Sequence, residues 1–161
     1  MNAIAIPPTD AAPPPNPAGP WRLPTAQLLE LLAMDARPRS VLQVGHDPRT
    51  TALLRARFPH ARIEVCEPES LVLAAPADAI VCVFGLTTSF RSDTLLAQRL
   101  AAHLADGGHL ALLELRGLLV GPGLIRMLAD ALVPLHVSEG STCMGLWRQF
   151  LYVGRKGSIV R

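Results

Sequence analysis

SVLQVGHDPRTTALLRARFPHARIEVCE, residues 40–67, is the stretch that decides the fold. Ser40 to Gly45 is a short apolar run rich in Val and Leu that ends in glycine. That is the pattern of a parallel strand buried on both faces. Asp47 follows in the N-cap position with Pro48 at the first helical position, and both residue types start helices well. Leu53, Leu54 and Phe58 give the ensuing helix an apolar side. Arg62 to Glu67, RIEVCE, reads as a second strand ending at Glu67. Strand, helix and strand in this order make a crossover between parallel strands.

The alternation continues on both sides. Upstream, Thr25 is a candidate N-cap, and Leu28, Leu29, Leu31 and Leu32 form a helical stripe that stops before Pro38. Downstream, DAIVCVFG (78–85) is nearly all apolar and reads as a central strand. SDTLLAQRLAAHLAD follows as a helix from about Ser92, with Leu95, Leu96, Leu100 and Leu104 on one stripe. Gly107 and Gly108 are expected to end it in the left-handed cap geometry that glycine allows. Then come the strand HLALLEL, a helix from Pro122 and two candidate strands, LHVSEG and RQFLYVGRK. The short STCMGLW segment between them makes this last pair antiparallel. The expected fold class is α/β: a three-layer sandwich with a mostly parallel sheet of about six strands and a terminal antiparallel pair.

Composition bounds the rest. At 161 residues, one ordered domain is expected over residues 25–161. Residues 1–24 carry eight of the 15 prolines and read as a proline-rich flexible tail. The net charge of +2 and the absence of arginine runs exclude a nucleic-acid footprint. No apolar stretch is long enough for a membrane span, and no secretory signal pattern opens the chain. Cys66, Cys82 and Cys143 are odd in number and far apart. They suggest neither a disulfide framework nor a zinc site, so a cytoplasmic location is expected.

The order of elements resembles the Rossmann-like fold of the class I methyltransferases, which use S-adenosylmethionine. The segments that carry the likeness are residues 28–69, ADAIVCVFGL, LAQRLAAHLADGGHLALLEL and RQFLYVGRK. Together they extend over about residues 26–157. Two departures stand out. Where the family has an acidic residue followed by alternating glycines, this chain has Gln43, Gly45, Asp47 and Arg49, with Pro48 removing a donor. A poorly paired Asp47 buried there would cost a few kcal/mol, about a hundredfold in cofactor affinity. Second, only about ten residues separate Glu67 from Asp78, where the family has a further strand and helices. The sequence leaves open whether its second or third strand is the one missing.

The resemblance implies cofactor-binding positions at Gly45, His46, Asp47, Glu67 and Phe84. Glu67 stands where the family's ribose-binding carboxylate stands. His46 lies at the switch from strand to helix, as a general base or a ligand contact. No catalytic residue can be named: GLTTSF, with Thr87 and Ser89, supplies no charged base. No metal site is expected. Cys66 and Cys82 read as small buried apolar residues and Cys143 as a loop thiol. His136, Glu139 and Trp147 fall on the terminal strand pair.

These features favour a degenerate, non-catalytic methyltransferase-fold protein with no cofactor, acting as a partner or scaffold subunit. The alternatives are an active methyltransferase with an atypical S-adenosylmethionine pocket, or a small-ligand-binding protein using the same crevice. The lost strand would leave a sheet edge open, so the expected partner is another protein subunit or a second copy of the chain. The proline-rich tail has few groups able to bury apolar area. Deleting residues 1–20 should therefore lower the melting temperature by only about one or two degrees in a thermal melt.

Overall fold

A strand flanked on both sides by other strands has its backbone satisfied and its two faces left to cover. This chain covers them with helices above and below. The computed structural model describes residues 25–73, 75–84, 93–117, 123–142 and 147–157. The elements run α1 (Thr25–Asp35), β1 (Ser40–Val44), α2 (Pro48–Arg57), β2 (Arg62–Cys66), a 3₁₀ turn (Pro68–Leu73), β3 (Ala77–Phe84), α3 (Asp93–His103), β4 (Leu104–Gly117), α4 (Gly123–Ala131), β5 (Val133–Thr142) and β6 (Trp147–Arg155). Among the described residues they form one six-stranded sheet in the order β2-β1-β3-β4-β6-β5. β2, β1, β3 and β4 run parallel, and β6 is antiparallel to both β4 and β5. The architecture is the expected Rossmann-like α/β sandwich. The tail (1–24), Thr87, Ser89 and Cys143 lie outside the described residues.

Side-chain alternation divides the core in two. On one face, Leu42, Val44, Ile80, Cys82, Leu110, Leu112, Phe150 and Tyr152 pack against α3 and α4 through Leu96, Leu100, Leu124 and Leu128. On the other, Val41, Ala79, Val81, Ala111, Leu113, Leu151 and Val153 pack against Leu28, Leu29 and Leu32 of α1 and Leu54 and Phe58 of α2. β3 and β4 supply both clusters, as a near-continuous apolar run requires. No described helix is long and apolar enough to cross a membrane.

Polar contacts pin the amino ends of the strands. The Asp78 carboxylate accepts from Arg39 N at 2.8 Å and Ser40 N at 3.0 Å, and Ser40 Oγ accepts from Asp78 N at 3.0 Å. Burial alone would push the Asp78 carboxyl up, but these bonds and the Arg39 charge outweigh it and hold the pKa below its ordinary value. Lys156 Nζ donates to Leu104 O at 2.7 Å, and its backbone N donates to Gly108 O at 2.9 Å, tying the end of β6 to the start of β4.

Several expectations need correction. Leu53 is 39% exposed; the buried side of α2 is Thr50, Leu54 and Phe58. Those residues recur every fourth position, while Leu53 sits about 100° round the helix from Leu54. Leu95 is 45% exposed, and Leu104 belongs to β4. α3 ends at His103, before the glycine pair, so the glycines do not cap it. Gly107, with φ +75°, lies instead where the β3–β4 register shifts. Cys66 is half-buried; Cys82 is fully buried. The identity of the lost strand is settled as well: β2 lies directly beside β1 and forms the edge, and a 3₁₀ turn leads from it to β3. Among the described residues, the family's third strand is the one absent.

Gly108 has no room for a side chain. A Cβ there would stand 2.8 Å from Ala105 O, 3.0 Å from Asp78 O and 3.3 Å from Ala77 O, all backbone atoms. Gly108→Ala should therefore destabilise by about 1–3 kcal/mol, several degrees in a thermal melt. Gly140→Ala, where a Cβ meets nothing within 4 Å, is the control and should leave the melting temperature close to that of the parent.

Candidate functional site

In an open α/β sheet the crevice at the carboxyl ends of the strands lies where successive connections leave in opposite directions. Here that place is the end of β1, whose neighbours are β2 and β3. Gly45 N donates to Cys66 O at 2.8 Å, which sets the β1 loop against the end of β2. A Cβ on Gly45 would stand 3.8 Å from Val83 O, so the same residue also abuts the end of β3. Its φ of +91° is a conformation that favours glycine.

Gly45, His46, Asp47, Glu67 and the Phe84 backbone therefore share one rim of the sheet. His46 and Glu67 are exposed. Glu67 is the first residue after β2, and its carbonyl accepts from Ser70 N at 2.9 Å, opening the 3₁₀ turn. Phe84 ends β3, opposite Glu114 of β4.

Asp47 is not a poorly paired charge. Its carboxylate accepts from Arg49 N at 3.2 Å, Thr50 N at 3.1 Å and Thr50 Oγ1 at 2.5 Å. That is a full N-cap of α2, in the extended backbone conformation a cap requires. Burial pushes the Asp47 carboxyl up; the Thr50 and Arg49 hydrogen bonds and the Arg49 charge outweigh it and hold the pKa below its ordinary value. The expected desolvation cost is met within the loop itself.

Gln43 is the residue whose role the sequence did not disclose. It is buried on β1 with 1% exposure. Its Nε2 donates to Gly45 O at 3.0 Å and Asp47 O at 3.1 Å, while its Oε1 accepts from Thr51 Oγ1 at 2.7 Å. The amide thus spans the whole turn from strand to helix. The available signal was a polar residue in an otherwise apolar run followed by the Thr50–Thr51 pair. Glu114 is the second such residue, 2% exposed near the carboxyl end of β4 in the apolar run HLALLEL.

Both described thiols have raised pKa values. Burial pushes the Cys82 thiol well above its ordinary value, with Cys66 and Glu114 adding to the effect. Cys66 is raised by burial and by the Glu67 and Glu64 charges. Both are held as thiols, and the thiolate is the nucleophile. Of the strand-pair residues, His136 Nε2 meets Ser138 Oγ at 3.2 Å, and Glu139 pairs with Arg148 at 3.2 Å. Among the described residues no group of three or more His, Cys, Asp or Glu could hold a metal ion.

No family profile and no curated protein matches the chain. Solved structures do. N-methyltransferase NodS from Bradyrhizobium japonicum WM9 superposes with a TM-score of 0.61 over 84% of this chain and 95% of that one, at 17% identity. NodS has also been solved in complex with S-adenosyl-L-homocysteine. Geranyl diphosphate C-methyltransferase from Streptomyces coelicolor A3(2), solved with Mg2+, geranyl diphosphate and S-adenosyl-L-homocysteine, gives a TM-score of 0.63 over 83% of this chain and 77% of that one, at 12% identity. The chain therefore has the class I methyltransferase fold.

The capped loop yields a pH-dependent prediction. Because the folded Asp47 pKa is depressed, folding favours the ionised form. Its stabilisation is complete above the unfolded aspartate range, near pH 4, and is lost as pH falls through the lower folded value. Asp47→Ala should cost about 1 kcal/mol at pH 7. The gap between variant and parent should close as denaturant melts are repeated below about pH 4.

Proposed function

We propose that this chain is a methyltransferase-fold protein without methyltransferase activity, working as a subunit of a protein assembly. The observation that carries the reading is the closed state of the β1–α2 turn. The first turn of a helix offers free N–H groups to a ligand. Here Arg49 N and Thr50 N already bond the Asp47 carboxylate, and Pro48 has no N–H to offer. Gln43 uses its amide to hold Gly45 O, Asp47 O and the Thr51 hydroxyl. Side chains at Asp47 and Arg49 occupy positions where the family's glycines let the cofactor approach. The absent third strand removes one wall of the crevice beyond β2.

These residues do not fit S-adenosylmethionine as the family's glycine loop fits it. A second reading has its own support: Gly45 keeps the positive φ, and exposed Glu67 keeps the strand-end carboxylate position. With neighbours of the same fold solved with S-adenosyl-L-homocysteine, S-adenosylmethionine is the cofactor of that alternative. Glu67 would then receive the ribose hydroxyls.

Calorimetric titration decides between the two. Neither S-adenosylmethionine nor S-adenosylhomocysteine should bind tightly, and a Kd at or below about 10 μM for either overturns the reading. If the capped turn is the obstacle, Asp47→Gly with Arg49→Gly should raise the affinity. An unchanged affinity transfers the cause to the missing strand.

A further inference from the structure

Two edges bound the sheet, and they are built differently. β5 carries Pro134 and a register shift between Pro134 and His136. A proline removes a donor and an irregularity bends the strand, so both discourage pairing with another chain. The exposed Val133, Leu135 and Val137 thus sit on a protected edge. β2 has neither device. Its five residues, Arg62–Cys66, keep unbroken register with β1 and include no proline or glycine.

The ladder fixes which β2 groups are left over. Arg62 N donates to Arg39 O at 2.8 Å, and Cys66 O accepts from Gly45 N at 2.8 Å. In a strand the N–H and C=O of one residue point to the same side, and successive residues alternate. Arg62, Glu64 and Cys66 therefore face β1, while Ile63 and Val65 turn their N–H and C=O groups to the side on which no described strand lies. The Ala61 carbonyl continues that outward row; its N–H is used by Phe58 O at 3.0 Å. Side chains alternate as well: Arg62 and Glu64 form an ion pair on one face, and Val65, 41% exposed, lies on the other.

We propose that two copies of this chain associate through β2, edge to edge and antiparallel, about a two-fold axis at Ile63. The charge pattern selects a second copy as the occupant. In this register Arg62 stands opposite Glu64 of the second copy, and Glu64 opposite its Arg62, at the close Cα spacing of about 4.5 Å typical of non-hydrogen-bonded antiparallel pairs. Registers centred on Arg62 or on Glu64 would set like charges opposite each other, which is destabilising. The outward groups also match under the same axis: the two Ile63 residues exchange N–H···O bonds, and each Val65 N–H meets the Ala61 carbonyl across the axis. An isologous contact repeats every interaction twice, so one short strand supplies a whole interface. The edge is short, which places the dimer among weak, concentration-dependent associations.

This inference names a partner for the assembly reading and so rests on it; cofactor titration reports on that reading separately, and association is read by mass. Sedimentation velocity of the full chain from about 1 to about 300 μM should show a monomer passing to a dimer. Glu64→Arg should weaken association about tenfold or more, and adding Arg62→Glu should restore it by rebuilding the complementary pattern. Val65→Pro removes an outward N–H without touching the β1 ladder and should abolish the dimer, with a thermal melt confirming the fold. Amide exchange at Ile63 and Val65 should slow as the dimer forms. A monomer at every concentration overturns the proposal. A dimer indifferent to these variants does so too, placing contact elsewhere. So does protection of the Ile63 and Val65 amides in the dilute monomer, which would mean that another part of this chain covers the edge.

Discussion

A buried amide on a central strand must find hydrogen bonds, and the way Gln43 finds them sets the geometry around it. Leaving such a group unpaired costs several kcal/mol. Gln43 cannot turn to solvent, because β1 lies between β2 and β3 and the α1–α2 layer covers its face. Its partners come from the chain that leaves the strand: two carbonyls of the turn and one hydroxyl of the helix. Gly45 supplies the left-handed residue that lets the chain double back, and Asp47 closes the helix start. Once this turn is fixed, α2 is aimed so that Thr50, Leu54 and Phe58 meet the sheet. Its return places β2 parallel to β1.

The same knot bears on function. A glycine-rich turn is useful to a ligand because its N–H groups are free and its Cα atoms are bare. This turn answers its own donors with its own acceptors, and replaces bare Cα atoms with a carboxylate and a guanidinium side chain. Such a turn is stable without any ligand. A ligand would have to displace bonds already made, so its gain is the difference between two satisfied states, not the full strength of the new bonds. On the proposed reading, fold and binding chemistry separate here: the crossover geometry is kept while the donors of the β1–α2 turn are engaged within the turn.

Much of the fold was legible because hydrophobic period differs between helix and strand. SVLQV, DAIVCVF and HLALLEL are short, mostly apolar runs of strand length, the pattern of strands covered on both faces. Helix boundaries and faces were less legible. The glycines at 107 and 108 signal a positive φ without saying whether a helix end or a strand irregularity uses it; tertiary pairing with Ala77 and Ala79 decided for the strand. Leu53 reads as buried because it is apolar, yet Thr50, whose hydroxyl is satisfied by the Asp47 cap, is the residue on the buried side. The site was legible in position and not in state. Sequence puts Gly45, His46, Asp47 and Glu67 on one rim and reads Asp47 as the helix N-cap, but whether that cap leaves its charge poorly paired depends on where three donors point. In the sequence Gln43 reads only as a missing acid, since the partners of an amide within its own turn are set by the loop's path.

Which strand the chain lacks follows from the energetics of edges. β1, β3 and β4 each contribute to the apolar clusters on both faces, so removing any of them would split the core. A strand beyond β2 would bury one backbone side only and, being outermost, would be covered least. Its loss leaves both helix layers and all of the central pairing in place. The cost falls elsewhere, on the crevice wall and on the edge newly left open. A chain shortened at this point keeps its central pairing, and among the described residues no strand lies beyond β2. On the proposed reading, the strand whose absence removes one wall of the crevice is also the one that would have covered β2, so weaker cofactor binding and association through β2 would share one structural origin.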